Sequence, residues 1–303
     1  MLWTILIGGG IALLWWYLAR QNIAVLQPAG TIARQERTLL YVGLLLSAVV
    51  VLPVFTMTIV IARKYREDNP SSIKTYRPNF DHSRVLEGLW WSIPAVIIFV
   101  LSVITWQSSH SLDPYRPIAS TVAPITVDVV ALNWKWLFIY PALQVASVNQ
   151  VELPVNTPVH FHITSDTVMN SFWIPNLGSQ IYAMPGMDTQ LYLEANTPGI
   201  YPGSSANISG SGFAGMQFTA NAVSMGDFQN WIVHAKDTIH SLTMASYMNL
   251  RKPQANVPPM FFASVDPNLY ASVIDAYMVP NAVLGSVGTM SSPPQPAMPG
   301  MGM

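Results

Sequence analysis

Cysteine is absent from all 303 residues. That excludes disulfides, thiolate metal sites and cysteine nucleophiles. Charge is scarce: only 10% of residues are Asp, Glu, Lys or Arg, against about 25% in an ordinary soluble domain. No basic excess exists, since 14 Lys and Arg face 15 acids, so the footprint of a nucleic-acid binder is missing. No phosphate-cradling glycine loop and no HExxH pair occurs. What is abundant is apolar: hydrophobic residues make up 51% with ten tryptophans, and the mean hydropathy is +0.34. That composition excludes a disordered chain and implies membrane segments joined to a folded domain.

Charge and hydropathy divide the chain. Residues 1–107 hold nine basic and five acidic side chains, whereas 108–303 hold five basic and ten acidic ones. Residues 38–62 carry no charge over 25 positions, and 88–107 form a second uncharged run. Each matches the roughly 20 apolar residues that span a bilayer. Pro53 and Pro94 fall inside these runs and are tolerated kinks in membrane helices. The short loop at 63–84 contains Arg63, Lys64, Arg66, Lys74, Arg77 and Arg84. By the positive-inside rule it is cytoplasmic, so both outer ends face the opposite side and the C-terminal part is exported. Residues 1–29 begin with an uncharged stretch at 2–19. It reads as a cleaved signal peptide or as an uncleaved anchor, without the basic start and small-residue site of a regular signal.

From about residue 120 the period changes. Ile125, Val127, Val129 and Ala131 alternate with Thr126, Asp128, Val130 and Leu132. Val159, Phe161 and Ile163 alternate with His160, His162 and Thr164, and Leu191 and Leu193 with Tyr192 and Glu194. Period two predicts strands with one more buried face. Asn156-Thr157-Pro158, Asn196-Thr197-Pro198-Gly199 and Gly210-Ser211-Gly212 read as turns between them. The pattern predicts a Greek-key β domain over 120–225. A helical extension is expected over 226–290. In it Asp227 caps a helix carrying Phe228, Trp231 and Ile232, and Asp266-Pro267 opens another carrying Leu269, Val273 and Tyr277. The Pro-, Gly- and Met-rich tail at 291–303 is expected to be disordered.

Candidate chemistry is sparse. His160 and His162 share one strand face, but two ligands without a third are a weak metal site, and a surface-facing pair is the better reading. The methionine-rich tail could hold soft copper(I) through thioethers. An unstructured tail accounts for it more simply.

One constellation is more specific. Two membrane runs precede a β domain that opens on Asn133-Trp134-Lys135-Trp136 and contains Met169-Asn-Ser-Phe-Trp-Ile-Pro175 and Leu177-Gly-Ser-Gln-Ile-Tyr-Ala-Met184. This resembles subunit II of the haem–copper respiratory oxidases over roughly residues 30–290. In the cytochrome c oxidase branch that domain is a cupredoxin with a two-copper centre, held by an early His and a C-x-E-x-C-x3-H-x2-M loop. The loop aligns with Ser205 to Met216. Ser205 and Ser209 stand at the thiolate positions, Asn207 at the Glu, Phe213 at the late His and Asn170 at the early His; only Met216 is retained. Hydroxyls do not replace bridging thiolates.

The pattern is similar to the ubiquinol-oxidase branch of cytochrome bo type. The resemblance implies a membrane-anchored, all-β fold: a two-helix transmembrane hairpin, a cupredoxin-like Greek-key domain without the copper centre, and C-terminal helices. It implies a non-metallated subunit with no catalytic residue of its own, in a proton-pumping complex that oxidises ubiquinol and reduces oxygen to water. Haems and one copper belong in subunit I, which also receives the quinol. Subunits I, III and IV and membrane lipid are the expected partners, with neither nucleic acid nor cytochrome c among them. The expected location is the bacterial inner membrane, multi-pass, with the C-terminal domain periplasmic. A membrane-anchored periplasmic copper-binding or assembly protein is the alternative. The lipoprotein cysteine common in this branch has no counterpart here.

Glu87 precedes the second uncharged run. The resemblance matches it to a carboxylate at the mouth of a proton path into subunit I. A carboxylate at a membrane boundary is suited to proton collection, though an interfacial acid paired with Arg84 would look the same. Trp134 and Trp136 lose any electron-transfer role without copper and are expected to pack against the span ends or anchor at the interface.

Overall fold

The computed structural model describes residues 23–66 and 80–278, residue 69, and seven positions between 9 and 21. The expectations for the segment 1–29, the basic loop 63–84 and the tail 291–303 fall wholly or in part outside the described residues.

Two long helices come first, α1 over Thr31–Lys64 and α2 over Arg84–Ser111. Both contain the expected runs and extend past them. At about 1.5 Å per residue, α1 reaches some 50 Å, beyond the roughly 30 Å of a hydrocarbon core. Pro53 and Pro94 lie inside them, and their apolar windows are uncovered by the rest of the chain.

The extra turns of α1 have a physical cause: they dock on the β domain. Gly30 bridges to Ala195. The amides of Ala29 and Ala33 donate to the carbonyls of Asn176 and Leu177 at 2.8 and 3.1 Å. Thr31 Oγ1 lies 2.5 Å from Glu194 Oε2, and Arg34 donates to Asn196 Oδ1 at 2.6 Å. A Cβ at Gly30 would stand 2.6 Å from Glu194 O, so only glycine allows this approach. Just past α2, the Pro114 carbonyl accepts from Tyr192 N at 3.1 Å. The start of α1 and the end of α2 thus share the β domain's side.

The β domain is a sandwich. One sheet has the order β12-β3-β2-β1-β5-β8, with β12 at Met260–Phe262, and the other β4-β10-β9-β6-β7. Its main strands are β1 (Ile125–Leu132), β2 (Lys135–Tyr140), β3 (Val145–Val148), β4 (Gln150–Pro154) and β5 (Val159–Ser165). They continue with β6 (Asn170–Trp173), β7 (Ile181–Ala183), β8 (Thr189–Leu193), β9 (Gly199–Ser205) and β10 (Gln217–Val223). β1 pairs parallel with β5 and antiparallel with β2, and β4 pairs parallel with β10, a mixed pattern that needs crossovers between the layers. Between the sheets Trp136, Phe138, Phe161, Phe172 and Phe218 are buried. Phe172 and Phe218 stack at 5.2 Å, and Trp136 meets Phe172 edge-on at 5.4 Å. Each such side chain contributes about 2–3 kcal/mol by burial.

The expectation of one more buried face holds for β5 and β8 but fails for β2, β3 and the later half of β1. There the outer face of the first sheet is covered by the C-terminal extension, where Val130, Leu132, Leu137, Ile139 and Val148 pack against Leu242, Tyr247, Leu269 and Val273. All of β2 is therefore buried. Lys135 is buried with it; its Nζ donates to the Leu250 and Lys252 carbonyls at 2.8 and 2.9 Å, and burial lowers its pKa.

The extension contains the two expected helices, α3 (Met225–Lys236) and α5 (Leu269–Met278), together with an unexpected one, α4 (Met244–Leu250), and short strands between them. β11 (Ser241–Leu242) pairs with β13 (Ser264–Val265), and β12 (Met260–Phe262) joins β3 at the edge of the main sheet. So 226–290 is not wholly helical, because its middle completes a sheet. The cap of α3 is also corrected: Ser224 Oγ accepts from Asp227 N at 3.1 Å, placing Asp227 in the first turn. α5 begins at Leu269 rather than at Pro267: Asp266 forms the preceding turn, accepting from Asn268 N at 3.0 Å, and the first helical bond runs from Ser272 N to Asn268 O.

Candidate functional site

The positions aligned with copper ligands gather at one end of the sandwich. Asn170 begins β6 and Ser205 ends β9, and both are buried. Phe172 pairs with Ser205 in the strand register, which fixes their spacing. Ser205 Oγ lies 3.2 Å from Asn170 Oδ1 and 3.1 Å from Asn207 O, while accepting from the amides of Ser171 and Asn207. Ser209 Oγ donates to Met216 Sδ at 3.7 Å. Phe213 opens a 3-10 turn, Phe213–Gly215, whose carbonyl receives Met216 N at 2.9 Å.

The fold thus brings Asn170 to Ser205 and Ser209 to Met216, but as neutral hydrogen-bonding pairs. Two hydroxyls, two amides, a phenyl ring and one thioether do not fit a thiolate-bridged copper centre. Asn170 Nδ2 also donates to Val168 O at 2.9 Å, tying that amide to the chain before β6.

Trp134 roofs this loop. It sits in the β1–β2 turn with φ of 63°, a region that costs a bulky L-residue about 1–2 kcal/mol. The indole Nε1 donates to Ser209 O at 3.2 Å. The ring lies on Gly212, where a Cβ would come within 2.2 Å of it. Trp136 is fully buried between the sheets. The expectation that these tryptophans pack on the span ends is therefore corrected: both pack within their own domain, because the β1–β2 hairpin turns at the loop end of the sandwich.

A second cluster was only half visible in the sequence. His160 and His162 share a face of β5 with ring centroids 4.2 Å apart. His160 Nε2 meets Gln190 Oε1 at 3.1 Å, and its ring stacks on Tyr192. His162 Nδ1 meets Asp188 Oδ2 at 2.9 Å, and Tyr270 of α5 donates to Asp188 Oδ1 at 2.8 Å. The bond to Asp188 raises the His162 pKa. Burial acts to raise Asp188, but the hydrogen bonds from His162 and Tyr270 outweigh it and lower its pKa. Asp128 of β1 stands in register with His162. Burial pushes its carboxyl from 3.8 up to about 6, partly offset by His162. Among the described residues, no three His, Asp or Glu side chains are grouped to hold a metal. Asp128 did carry a signal, as the one acid in an otherwise uncharged strand.

Glu87 lies in the first turn of α2, exposed, at the hairpin end away from the β domain. Among the described residues it makes no ion pair with Arg84.

A family model described as the periplasmic domain of cytochrome c oxidase subunit II matches residues 125–223. Another, described as the COX aromatic rich motif, matches residues 236–281. Cytochrome bo(3) ubiquinol oxidase subunit 2 of Pseudomonas aeruginosa is 48% identical over 256 residues, covering 84% of this chain and 77% of that protein. Ubiquinol oxidase subunit 2 of Acetobacter aceti is 43% identical over 288 residues, covering 94% and 93%. The chain belongs to the ubiquinol oxidase subunit 2 family. Quinol oxidase subunit 2 of Bacillus cereus, 34% identical over 77% of this chain, extends the likeness. As a subunit 2, the chain works within an oxidase complex, with other oxidase subunits as its partners. The loop from Ser205 to Met216 lies inside the matched periplasmic domain, as does Asp188, while α5 with Tyr270 falls within the aromatic-rich match.

Proposed function

We propose that this chain is the non-metallated structural subunit II of a proton-pumping ubiquinol oxidase. Quinol oxidation and the reduction of oxygen to water belong to subunit I, with the haems and one copper. The observation that carries this is the donor set at the loop: Asn170 with Ser205, and Ser209 with Met216, are joined by hydrogen bonds and include no thiolate. A soluble electron donor would need a relay in the exported domain, whereas quinol delivers electrons within the bilayer. In this reading α1 and α2 span the inner membrane, the basic loop faces the cytoplasm, and the β domain is periplasmic. The docking of both outer helix ends on the β domain supports that topology. Uncovered apolar faces on α1 and α2 supply the surface for subunit I, with subunits III and IV completing the complex.

Glu87 is the proton-collecting carboxylate of this reading. It stands at the cytoplasmic end of α2, on the side from which protons would be drawn. The copper-carrier alternative has less support, since His160 and His162 are engaged by Gln190 and Asp188. The complex purified through a tag on this chain tests the reading. The expected result is a haem spectrum, no near-infrared band from a two-copper centre, and a single copper per complex. Two further coppers that follow this chain on dissociation would refute it.

A further inference from the structure

The first turns of α1 and the loop end of the sandwich enclose a cleft of about 400 Å3. Its walls include Glu36 of α1, Trp173 at the end of β6, Gly178, Ser179 and Gln180 of the β6–β7 connection, and Ala206 beyond β9. We infer that this cleft binds the headgroup of a phospholipid bearing a primary ammonium, of the phosphatidylethanolamine class. The inference rests on the membrane placement proposed above.

Position is the first argument. The uncharged run of α1 begins at residue 38, two residues after Glu36. Glu36 therefore lies just outside the hydrocarbon, in the layer that lipid headgroups fill. A lipid lying along α1 on a side that subunit I leaves open would have its headgroup at the mouth of the cleft.

Chemistry is the second. Ser179 Oγ donates to Glu36 Oε1, which fixes the carboxylate on the cleft wall. Oε2 accepts nothing among the described residues and is free to take an ammonium proton in a charge-assisted bond. The Trp173 indole on the same wall suits a cation. Gln180 uses its Oε1 to accept from Ser171 Oγ, so its amide N–H groups remain to donate to a phosphate oxygen. Arg37 is held on the Leu26 carbonyl at 3.2 Å, one residue from Val25 at the cleft's edge, and adds positive charge for the phosphate. A trimethylated headgroup has no N–H for Glu36, and a single indole is no aromatic cage, so choline lipid should bind less well.

The test uses the detergent-purified complex containing the full chain. Flotation with vesicles of phosphatidylglycerol mixed with either phosphatidylethanolamine or phosphatidylcholine comes first. Failure to float with both overturns the membrane placement itself. The delipidated complex is then titrated with the ethanolamine or choline lipid of equal chain length and bound lipids are counted by native mass spectrometry. The wild type should hold at least one ethanolamine lipid about tenfold more tightly than its choline analogue. Glu36→Gln keeps a partner for Ser179 and should lose that lipid. Ala206→Phe, which fills the cleft from its exposed wall, should lose it as well. Equal affinity for the two lipids, or an unchanged ethanolamine count in both variants, overturns the inference while leaving the membrane placement intact.

Discussion

Replacing Asp128 by Asn should stabilise the folded β domain at neutral and alkaline pH. Asp128 lies in a strand covered on both faces and accepts no hydrogen bond among the described residues. Its carboxyl is pushed from 3.8 up to about 6, by burial first, with His162 opposing and Asp188 adding to the rise. A folded-state pKa above the unfolded value means that the folded domain binds more protons between about pH 4 and 6. Stability therefore falls as pH rises through that window, and the whole penalty is present above about pH 7. The full rise corresponds to about 3 kcal/mol. Partial exposure, and the loss of Asp128's attraction for His162, reduce the expected gain of Asp128→Asn to about 1–2 kcal/mol.

His162 acts in the same direction. Its pKa is raised chiefly by the bond to Asp188, so its contribution is present below the ordinary histidine value and is lost as pH rises through its folded value. That bond survives in the Asn variant. Urea unfolding of the full chain in micelles, followed by tryptophan fluorescence, gives the difference between variant and wild type. The gap should be largest at pH 8, narrow below pH 6 and close near pH 4. A variant less stable than wild type at pH 8, or a gap equal at pH 4.5 and 8, would refute the reasoning.

Three further outcomes are expected. Glu87→Gln should slow quinol oxidation and alter its pH profile while haem content and subunit stoichiometry hold; wild-type turnover across the pH range would leave Glu87 an interfacial acid worth about 0–1 kcal/mol. Gly30→Ala should loosen α1 from the β domain, because its Cβ meets the Glu194 and Leu177 carbonyls at 2.6 and 2.7 Å; faster amide exchange at Ala29 and Ala33 would report it. Gly212→Ala should lift Trp134 off the loop at a cost of about 1–3 kcal/mol, read as a shift in tryptophan emission and a lower unfolding midpoint.

Much of the architecture was legible because it rests on periodicity. Uncharged runs longer than 18 residues and strictly alternating stretches such as Val159–Ile163 leave few other structures. The losses came where burial was two-sided or contacts were non-local. Lys135–Tyr140 carries apolar side chains on both faces because a distant extension covers it, and no local pattern announces that cover. Met260–Phe262 is too short to read as a strand and exists because β3 offers it an edge. Ser224 and Asp227 are both good caps three residues apart, and only the backbone geometry says which is outside the helix. The aligned loop positions were named from the sequence, but their pairing was not, because Asn170 reaches Ser205 across two strands far apart in the chain.

The presence of Met216 beside five aligned positions that differ has a packing explanation that needs no metal. Met216 is 1% exposed and belongs to the central hydrophobic cluster. None of Ser205, Asn207, Ser209 or Asn170 contributes an apolar side chain to that cluster, and Phe213 is outside it. The sheets are held by Trp136, Phe138, Phe161, Phe172 and Phe218, all independent of the loop's donors. Exchanging thiolates and imidazole for hydroxyl and amide removes metal cross-links but leaves that core whole, and the loop ends are still tied by hydrogen bonds worth about 1 kcal/mol each. Exchanging Met216 for a polar residue would open the core itself. The thioether is thus set by the packing of the sandwich, whereas Asn170, Ser205, Asn207, Ser209 and Phe213 lie outside that cluster.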